Sequence, residues 1–445
     1  MTFSRRLSPI DLAPLLLTAL GCGPSSAGSA GTGGLGGSTI TATGGKTGQT
    51  TGDATGGSSG GAPGSGGATP GTGGAAPATG GASGAAGAAG RAGIAGKNGA
   101  AGAGGAAGSA GGGGAGAGGA TLDPTPGNYQ RTCDGSLGVM LDATHFLDGN
   151  DETQGMRVYT RGASGAPLQT IDVSSAIGLS TSDEADLEDM TRVGNRIYVT
   201  GSHGRSKSGD LERARYRFFA MDLTGTSPTI KLAVPGYTTT LLDQMLVAAN
   251  WVTPDTDVIA TLNAAADLGT SSDADLAPKA NGTNIEGLTA APTAQRPNQL
   301  LIGFRNPTQG GDAIVVSLLN ADDVLTGATP QFGEAARLDL DGLGIRGMTW
   351  SAVHQAVLFL AGPQDASDGP FRLFEWSGLP SDTPVLVQEI TNAPSDSAPE
   401  AIVTYPGTRD VQILFDQGDH VIDGDSCKDA DASDQFFTDA IVYVP

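Results

Sequence analysis

Residues 186–190 read Asp-Leu-Glu-Asp-Met, and they open the stretch that decides the fold. A turn at Gly194-Asn195 follows, then the apolar run Ile197-Tyr198-Val199 and the sequence Gly201-Ser202-His203-Gly204-Arg205. After a basic loop, a second apolar run occupies residues 218–221. Short apolar runs separated by turn residues predict a β-hairpin. We therefore expect residues 186–223 to form a hairpin that carries a polar cluster at its tip.

The same pattern recurs further along the chain. Each unit has a charged residue, a small or acidic residue, an aliphatic residue, a turn and a strand. The three further units begin with Asn284-Ile285-Glu286-Gly287-Leu288, Gly344-Ile345-Arg346-Gly347-Met348 and Ala398-Pro399-Glu400-Ala401-Ile402. The spacing corresponds to one or two propeller blades of ~40–50 residues. The sequence predicts an all-β fold, a six- or seven-bladed β-propeller preceded by a disordered Gly-rich tether.

Composition divides the chain into three parts. Residues 1–22 carry Arg5 and Arg6 followed by a short apolar run, which predicts a lipoprotein-type signal peptide. Residues 23–127 are rich in glycine and alanine, so they have too little apolar surface to offset the entropy of ordering and are expected to be a disordered linker. Residues 128–445 are predicted to form the propeller domain.

The chain is acidic, with a formal net charge of −22. Only Asp11 and Asp53 among its acidic residues precede residue 121, so the predicted domain carries almost all of the negative charge. Such a surface repels phosphate backbones, and we expect no nucleic-acid partner.

Three cysteines have distinct predicted roles. The segment Ala19-Leu20-Gly21-Cys22 resembles a bacterial lipobox, so Cys22 is predicted to be lipidated, with ordinary export and cleavage near Ala19 as the alternative. This places the protein outside the cytoplasm, anchored to a bacterial outer membrane or cell surface. In an exported protein, Cys133 and Cys427 are expected to form a disulfide that joins the first and last blades.

Residues 186–221 and 284–307 resemble the DUF3616 family of uncharacterised bacterial proteins. The residues that carry the resemblance are Asp186-Leu187-Glu188, Gly201-Ser202-His203-Gly204-Arg205, and the run from Asn284 to Leu288 with Phe304-Arg305-Asn306-Pro307. The resemblance extends over about residues 135–425. It implies a propeller fold, distantly phytase-like or esterase-like, more than an activity.

Equivalent positions of successive blades ring one mouth of a propeller channel. The repeat therefore predicts that Glu188, Glu286, Arg346 and Glu400 form a ligand-binding ring, with Arg346 holding an anion or acidic group. Calcium is a possible cofactor, with Asp186, Glu188 and Glu286 as candidate ligands. The alternative is that each acid caps backbone N–H groups at a blade junction. The acidic run at residues 148–152 is expected to be a solvated loop.

Two functional hypotheses remain open, and the sequence does not decide whether the protein is an enzyme. In the first, a monomeric propeller binds a small anionic ligand or a protein partner. In the second, the protein is a phosphoesterase-like hydrolase in which His203, Arg205 and Arg305 converge, or calcium is bound, to stabilise phosphate. The structural alternative is that Arg205 pairs with Asp186 or Glu188 and locks the turn.

Overall fold

The computed structural model describes residues 126–279, 281–292, 298–367, 369–391 and 393–445. The predicted signal peptide, with Cys22, and nearly all of the predicted linker lie outside the described residues. Within the described part of the chain, no helix is both long and apolar enough to cross a membrane.

Five four-stranded antiparallel sheets make up the fold of this described part. The first strand, β1 (Asn128–Gln130), belongs to the last sheet. Blade one contains β2 (Leu137–Met140), β3 (His145–Gly149), β4 (Gly155–Thr160) and β5 (Gln169–Asp172). Blade two contains β6 (Leu187–Val193), β7 (Arg196–Gly201), β8 (Phe218–Thr226) and β9 (Thr229–Thr238). Blade three contains β10 (Asn284–Ala290), β11 (Leu300–Asn306), β12 (Ala313–Leu318) and β13 (Phe332–Leu338).

The last two blades complete the ring. Blade four contains β14 (Gly344–Ser351), β15 (Ala356–Gly362), β16 (Arg372–Trp376) and β17 (Val385–Glu389). Blade five contains β18 (Ala398–Thr404), β19 (Asp410–Asp416) and β22 (Phe436–Tyr443), with β1 as its outermost strand. A small hairpin, β20 (Val421–Ile422) and β21 (Asp425–Ser426), interrupts this blade. The inner strands β2, β6, β10, β14 and β18 contact one another in a closed ring. The protein is an all-β propeller, as predicted.

The blade number of six or seven was wrong, because the propeller has five blades. The segment between β9 and β10 is long enough for a further blade but forms helices instead. These are α1 (Leu241–Met245) and α2 (Thr256–Ala266), with short 3₁₀ turns at Ala248–Asn250 and Ala274–Leu276. A third helix, α3 (Ala321–Leu325), lies inside blade three, and the other 3₁₀ turns are Ser174–Ile177, Arg213–Arg215 and Cys427–Asp429.

The helical insertion is held by its own apolar face. Asp255 caps α2, because its side chain accepts hydrogen bonds from the backbone N–H groups of Asp257 and Val258. Val258 and Leu262, one helical turn apart, pack into the apolar cluster between blades two and three. Four other clusters fill the remaining blade junctions, so each of the five interfaces has its own apolar core.

The N-terminal strand closes the ring. Tyr129 of β1 stacks on Phe437 of β22 and donates a 2.8 Å hydrogen bond to Asp439. Cys133, just after β1, is disulfide-bonded to Cys427, in the insertion of blade five. The predicted disulfide is confirmed. It joins the segment that enters blade one to blade five, across the junction where the chain closes the ring.

Candidate functional site

The repeat residues owe their orientation to a bulge that four blades share. Where the inner strand pairs with its neighbour, the register shifts by one residue, and the unpaired residue is Glu188, Glu286, Arg346 or Glu400 in blades two to five. The β2–β3 pair of blade one has no such shift. A β-bulge bends the strand and redirects a side chain. The equivalent charged residues are therefore placed at the same level of the four inner strands, near the mouth where these strands begin.

This mouth opens into a polar cavity of about 880 Å³. Three of the ring residues line it: Glu188, Glu286 and Glu400. Among the described residues, ten carboxyl groups line the cavity: Asp134, Asp151, Glu152, Glu184, Asp186, Glu188, Glu286, Glu400, Asp416 and Asp419. The cationic residues that line it are Lys207, Arg215, Lys279, Arg305 and Lys428. Carboxyl groups therefore outnumber cationic groups on the wall, and burial raises the pKa of several of these carboxyls.

The ring residues of blades three to five form a buried charge network. Arg305 Nη1 lies 2.9 Å from Glu286 Oε1, and Arg346 Nε lies 3.1 Å from Glu286 Oε2. The other arm of Arg346 contacts Glu400. Asn284 donates a 2.5 Å hydrogen bond to Glu286. Arg346 thus holds acidic groups of its own chain, and the acids of these blades pair with arginines instead of capping backbone N–H groups.

Glu188 differs from the other ring residues because no cationic side chain of the described residues forms a direct ion pair with it. Burial raises the pKa of Glu188 well above its usual range, and the negative charges of Glu286, Asp186, Glu400 and Asp151 raise it further. A cation near these groups would relieve that repulsion.

Carboxyl groups from blades one and five form a second cluster on the wall. Burial raises the pKa of Asp134 to about 11, and the charge of Asp151 and a hydrogen bond with Asp416 act in the same direction. These neighbouring carboxyl groups therefore retain a proton at neutral pH instead of all being ionised. Asp151, in the run expected to be a solvated loop, lines the cavity, and burial raises its pKa well above the usual range.

Asp189 links the inner strands of three blades. Its carboxylate accepts hydrogen bonds from the backbone N–H groups of Met190 at 2.8 Å, Leu288 at 2.6 Å and Met348 at 3.0 Å, and so links blades two, three and four. A mainly apolar cavity of about 450 Å³ lies where the inner strands end, lined by residues that include Met140 and Trp350. The two cavities share no lining residue.

Among the predicted catalytic candidates, the structure places only Arg305 on the cavity. His203 is fully buried against Tyr216, and its Nδ1 lies 2.9 Å from the Gly201 carbonyl oxygen. Burial lowers the pKa of His203 to about 4, so the ring is neutral at pH 7. Neither His203 nor Arg205 lines the cavity. The convergence of His203, Arg205 and Arg305 that a hydrolase would use is not present.

Arg205 is bonded to backbone carbonyl groups. Its Nη1 donates to Gly209 at 3.0 Å, and its Nη2 donates to the carbonyls at the end of α2 and just beyond, Ala266, Asp267 and Thr270. A cation at a helix C-terminus satisfies free carbonyls and the helix dipole. The expected pairing of Arg205 with Asp186 or Glu188 was wrong. The partner of Asp186 is Arg215, at 3.0 Å.

The candidate calcium ligands Asp186, Glu188 and Glu286 all line the cavity. Across the described residues, however, no three histidine, cysteine, aspartate or glutamate side chains are arranged to hold a metal ion. Sequence reasoning missed two residues of the site, Arg215 and Asn284. Arg215 belongs to the basic loop after the first hairpin, and Asn284 opens the second repeat unit, so both had a detectable signal.

The DUF3616 family profile, described as a protein of unknown function, matches residues 239–405. This confirms the resemblance to that family. The match includes Glu286, Arg305, Arg346 and Glu400, but it does not extend to His203 and Arg205.

None of the curated proteins matches the chain. Among solved structures, the chain is similar to a GH43 β-1,3-galactosidase with galactodeoxynojirimycin, at 9% identity and a TM-score of 0.36, covering 69% of this chain and 90% of that one. It is also similar to a GH43 endo-arabinanase from Bacillus licheniformis, at 6% identity and a TM-score of 0.32, with coverages of 71% and 96%. A third, a streptogramin B lyase, has 9% identity, a TM-score of 0.29 and coverages of 72% and 97%. Similarities this distant carry no functional argument.

Proposed function

We propose that this chain is an exported, lipid-anchored β-propeller that binds a small polar ligand in the cavity at the mouth where the inner strands begin. The observation that carries this is the cavity of about 880 Å³, lined by Glu188, Glu286 and Glu400 from equivalent bulged positions. A concave site with a few convergent polar groups is the usual form of a small-molecule site.

Binding is favoured over phosphoester hydrolysis by the state of the arginines. Arg305 and Arg346 are already paired with carboxylates, and Arg205 is bonded to backbone carbonyls away from the cavity. A phosphate group would have to displace carboxylates from buried arginines, which is costly because each displaced charge would be left without a partner. An anionic ligand would also lie among more carboxyl groups than cationic groups, and the ionised carboxyls would repel it.

Binding can be tested by obstructing the cavity. Ala277 lines it and is partly exposed, so Ala277→Trp should fill part of its volume. Ala249→Trp, on an exposed turn outside the cavity, is the matched control. The purified full chain would be titrated calorimetrically with amines, neutral polyols, carboxylates and phosphate. We expect one class to bind to the wild type and to Ala249→Trp, and to bind at least tenfold more weakly to Ala277→Trp. Binding that Ala277→Trp leaves unchanged would contradict this location.

The anchor rests on the lipobox-like segment that ends at Cys22, and the disulfide is consistent with an oxidising compartment. Expression in a bacterium with a labelled fatty acid should label the wild type and leave Cys22→Ala unlabelled. Protease added to intact cells would then test exposure at the surface. Equal labelling of the two chains would contradict lipidation at Cys22.

A further inference from the structure

The charged ring residues at the mouth pair with one another in blades three to five, but Glu188 of blade two is not part of this pairing. Arg346 bridges Glu286 and Glu400, so three neighbouring inner strands alternate in charge. Glu188 lies next to Glu286 in this ring. After burial, the groups that most raise the pKa of Glu188 are other carboxyl groups. Arg215 and Arg346 are near enough to interact with Glu188 electrostatically. However, the guanidinium group of Arg215 contacts Asp186 and Glu184. Among the described residues, Glu188 is therefore the carboxyl group of this ring that no arginine contacts directly.

One buried hydrogen-bond acceptor on the cavity wall has no donor among the described residues. Asn284 is 4% exposed, and its Oδ1 accepts no hydrogen bond there, although its Nδ2 donates to Glu286. Glu286 Oε2, by contrast, faces Arg346 Nε at 3.1 Å. Buried polar atoms are almost always satisfied in folded proteins. The unsatisfied atom of Asn284 is an acceptor, so its missing partner is a donor.

We propose that the ligand is an organic cation, whose ammonium group occupies the position beside Glu188 and donates hydrogen bonds to Glu188 and to the Oδ1 of Asn284. The assignment rests on the proposed binding function and names the chemical class of its ligand. Arg346 supplies a positive charge between Glu286 and Glu400. The ammonium group would supply the equivalent positive charge next to Glu188. Hydrogen bonds from an ionised donor are the stronger kind, and they suit a carboxyl group without a cationic partner that lies near an unsatisfied acceptor.

An amine fits these walls better than a metal ion does. Within the described part of the chain, no three potential ligand side chains are arranged around a common point as a metal requires. An alkylammonium group needs fewer and more directional contacts, and its carbon chain can occupy part of a cavity of about 880 Å³. The cavity is larger than a single ion needs, which favours a chain of several carbons.

The test compares matched probes on the full chain by calorimetry. Spermidine and putrescine are the cationic probes, and 1,4-butanediol is the neutral match of putrescine in length. We expect both amines to bind, and the diol to bind at least tenfold more weakly than putrescine. Calcium chloride and inorganic phosphate complete the set. Amines that do not bind, or a diol that binds as well as putrescine, would overturn the proposal.

Variants locate the ammonium group. A hydrogen bond to a charged group contributes about 1.5–3 kcal/mol, so Glu188→Gln should weaken amine binding by about tenfold or more. Asn284→Ser removes the unsatisfied amide oxygen and should weaken amine binding severalfold. Glu334→Gln removes an exposed carboxylate on β13, outside the cavity, and should leave binding unchanged. Thermal unfolding of each variant shows whether it is folded.

The outcomes separate this inference from the binding function itself. Suppose that a polyol, calcium or phosphate binds, and that this binding is abolished by Ala277→Trp but unchanged by Glu188→Gln. The cavity is then a binding site, and the assignment of an organic cation as its ligand is wrong. If amines bind equally to Glu188→Gln, Asn284→Ser and Ala277→Trp, they bind elsewhere on this acidic surface, and the inference fails.

Discussion

The Oδ2 atom of Asp189, on the inner strand of blade two, lies 3.0 Å from the backbone nitrogen of Met348, on the inner strand of blade four. Blades two and four are not neighbours, so this hydrogen bond crosses the central channel. The same oxygen accepts from Leu288 of the intervening blade. One carboxylate thus joins three inner strands at the axis, where side chains from different blades meet.

Replacing Asp189 should destabilise the propeller strongly. Asp189→Ala would leave three backbone N–H groups without this acceptor, and each buried unsatisfied group costs about 1–3 kcal/mol. We expect a loss of about 3–5 kcal/mol in the free energy of unfolding, measured by urea denaturation. Asp189→Asn, which keeps one acceptor oxygen, should lose less. Equal losses for the two variants would show that the volume of the side chain matters more than its hydrogen bonds.

Arg346 should be needed for stability whatever the ligand is. Arg346→Met removes the guanidinium group between Glu286 and Glu400 and leaves two carboxylates without it in a buried site. Breaking a buried pair costs about 3–5 kcal/mol. The double variant with Glu400→Gln should recover part of the loss, because one of the repelling charges is gone and Arg305 keeps its pair with Glu286. A double-mutant cycle from denaturant unfolding measures this coupling, and additive losses would contradict it.

Asp134 predicts an unusual dependence of stability on pH. Its pKa is raised to about 11 by burial and by neighbouring carboxyls, while in the unfolded chain it returns to the ordinary value of 3.8. Between pH 3.8 and about 11, the folded state therefore holds a proton that the unfolded state has lost. The contribution of this group to the free energy of unfolding is complete below pH 3.8 and declines as the pH rises towards 11. Asp134→Asn should raise the melting temperature at pH 8 relative to the wild type. The difference should shrink as the pH approaches 4, and a difference that is constant with pH would contradict the assignment.

Arg205 and His203 should behave as structural residues. Arg205→Met would leave the carbonyl groups at the end of α2 without a donor, and we expect a loss of about 2–3 kcal/mol. His203→Gln should reduce stability because the ring packs on Tyr216. Neither variant should change the affinity for a cavity ligand beyond twofold while the protein is folded. A selective loss of binding in Arg205→Met, without a change in melting temperature, would place Arg205 in the site after all.

Local patterns in the sequence were sufficient for the architecture and for part of the site. The repeat around Glu188, Glu286, Arg346 and Glu400 identified equivalent positions of four blades, because a propeller repeats its inner strands. The position of a bulge depends on the register between strands, which short apolar runs do not specify. The sequence therefore indicated which residues are equivalent, but not the bulge that redirects their side chains.

The errors have a common physical origin in contacts between distant segments. The blade number was too high because the insertion with α1 and α2 has the length of a blade, and the helical pattern of Val258 and Leu262 is short. The role of Arg205 depends on carbonyl groups near Ala266 and Asp267, about sixty residues away along the chain. Asp151 belongs to a run of acidic residues that is typical of solvated loops, but the closure of the ring places it beside Asp416.

The position of the disulfide also determines how the propeller responds to mechanical load. The chain enters the domain through β1, a three-residue strand at the outer edge of blade five, and a force applied upstream would peel it away first. Cys133 comes immediately after that strand and is bonded to Cys427. Peeling would take Tyr129 out of the apolar core between blades five and one, but it would stop at Cys133, and the force would then pass through the disulfide into blade five.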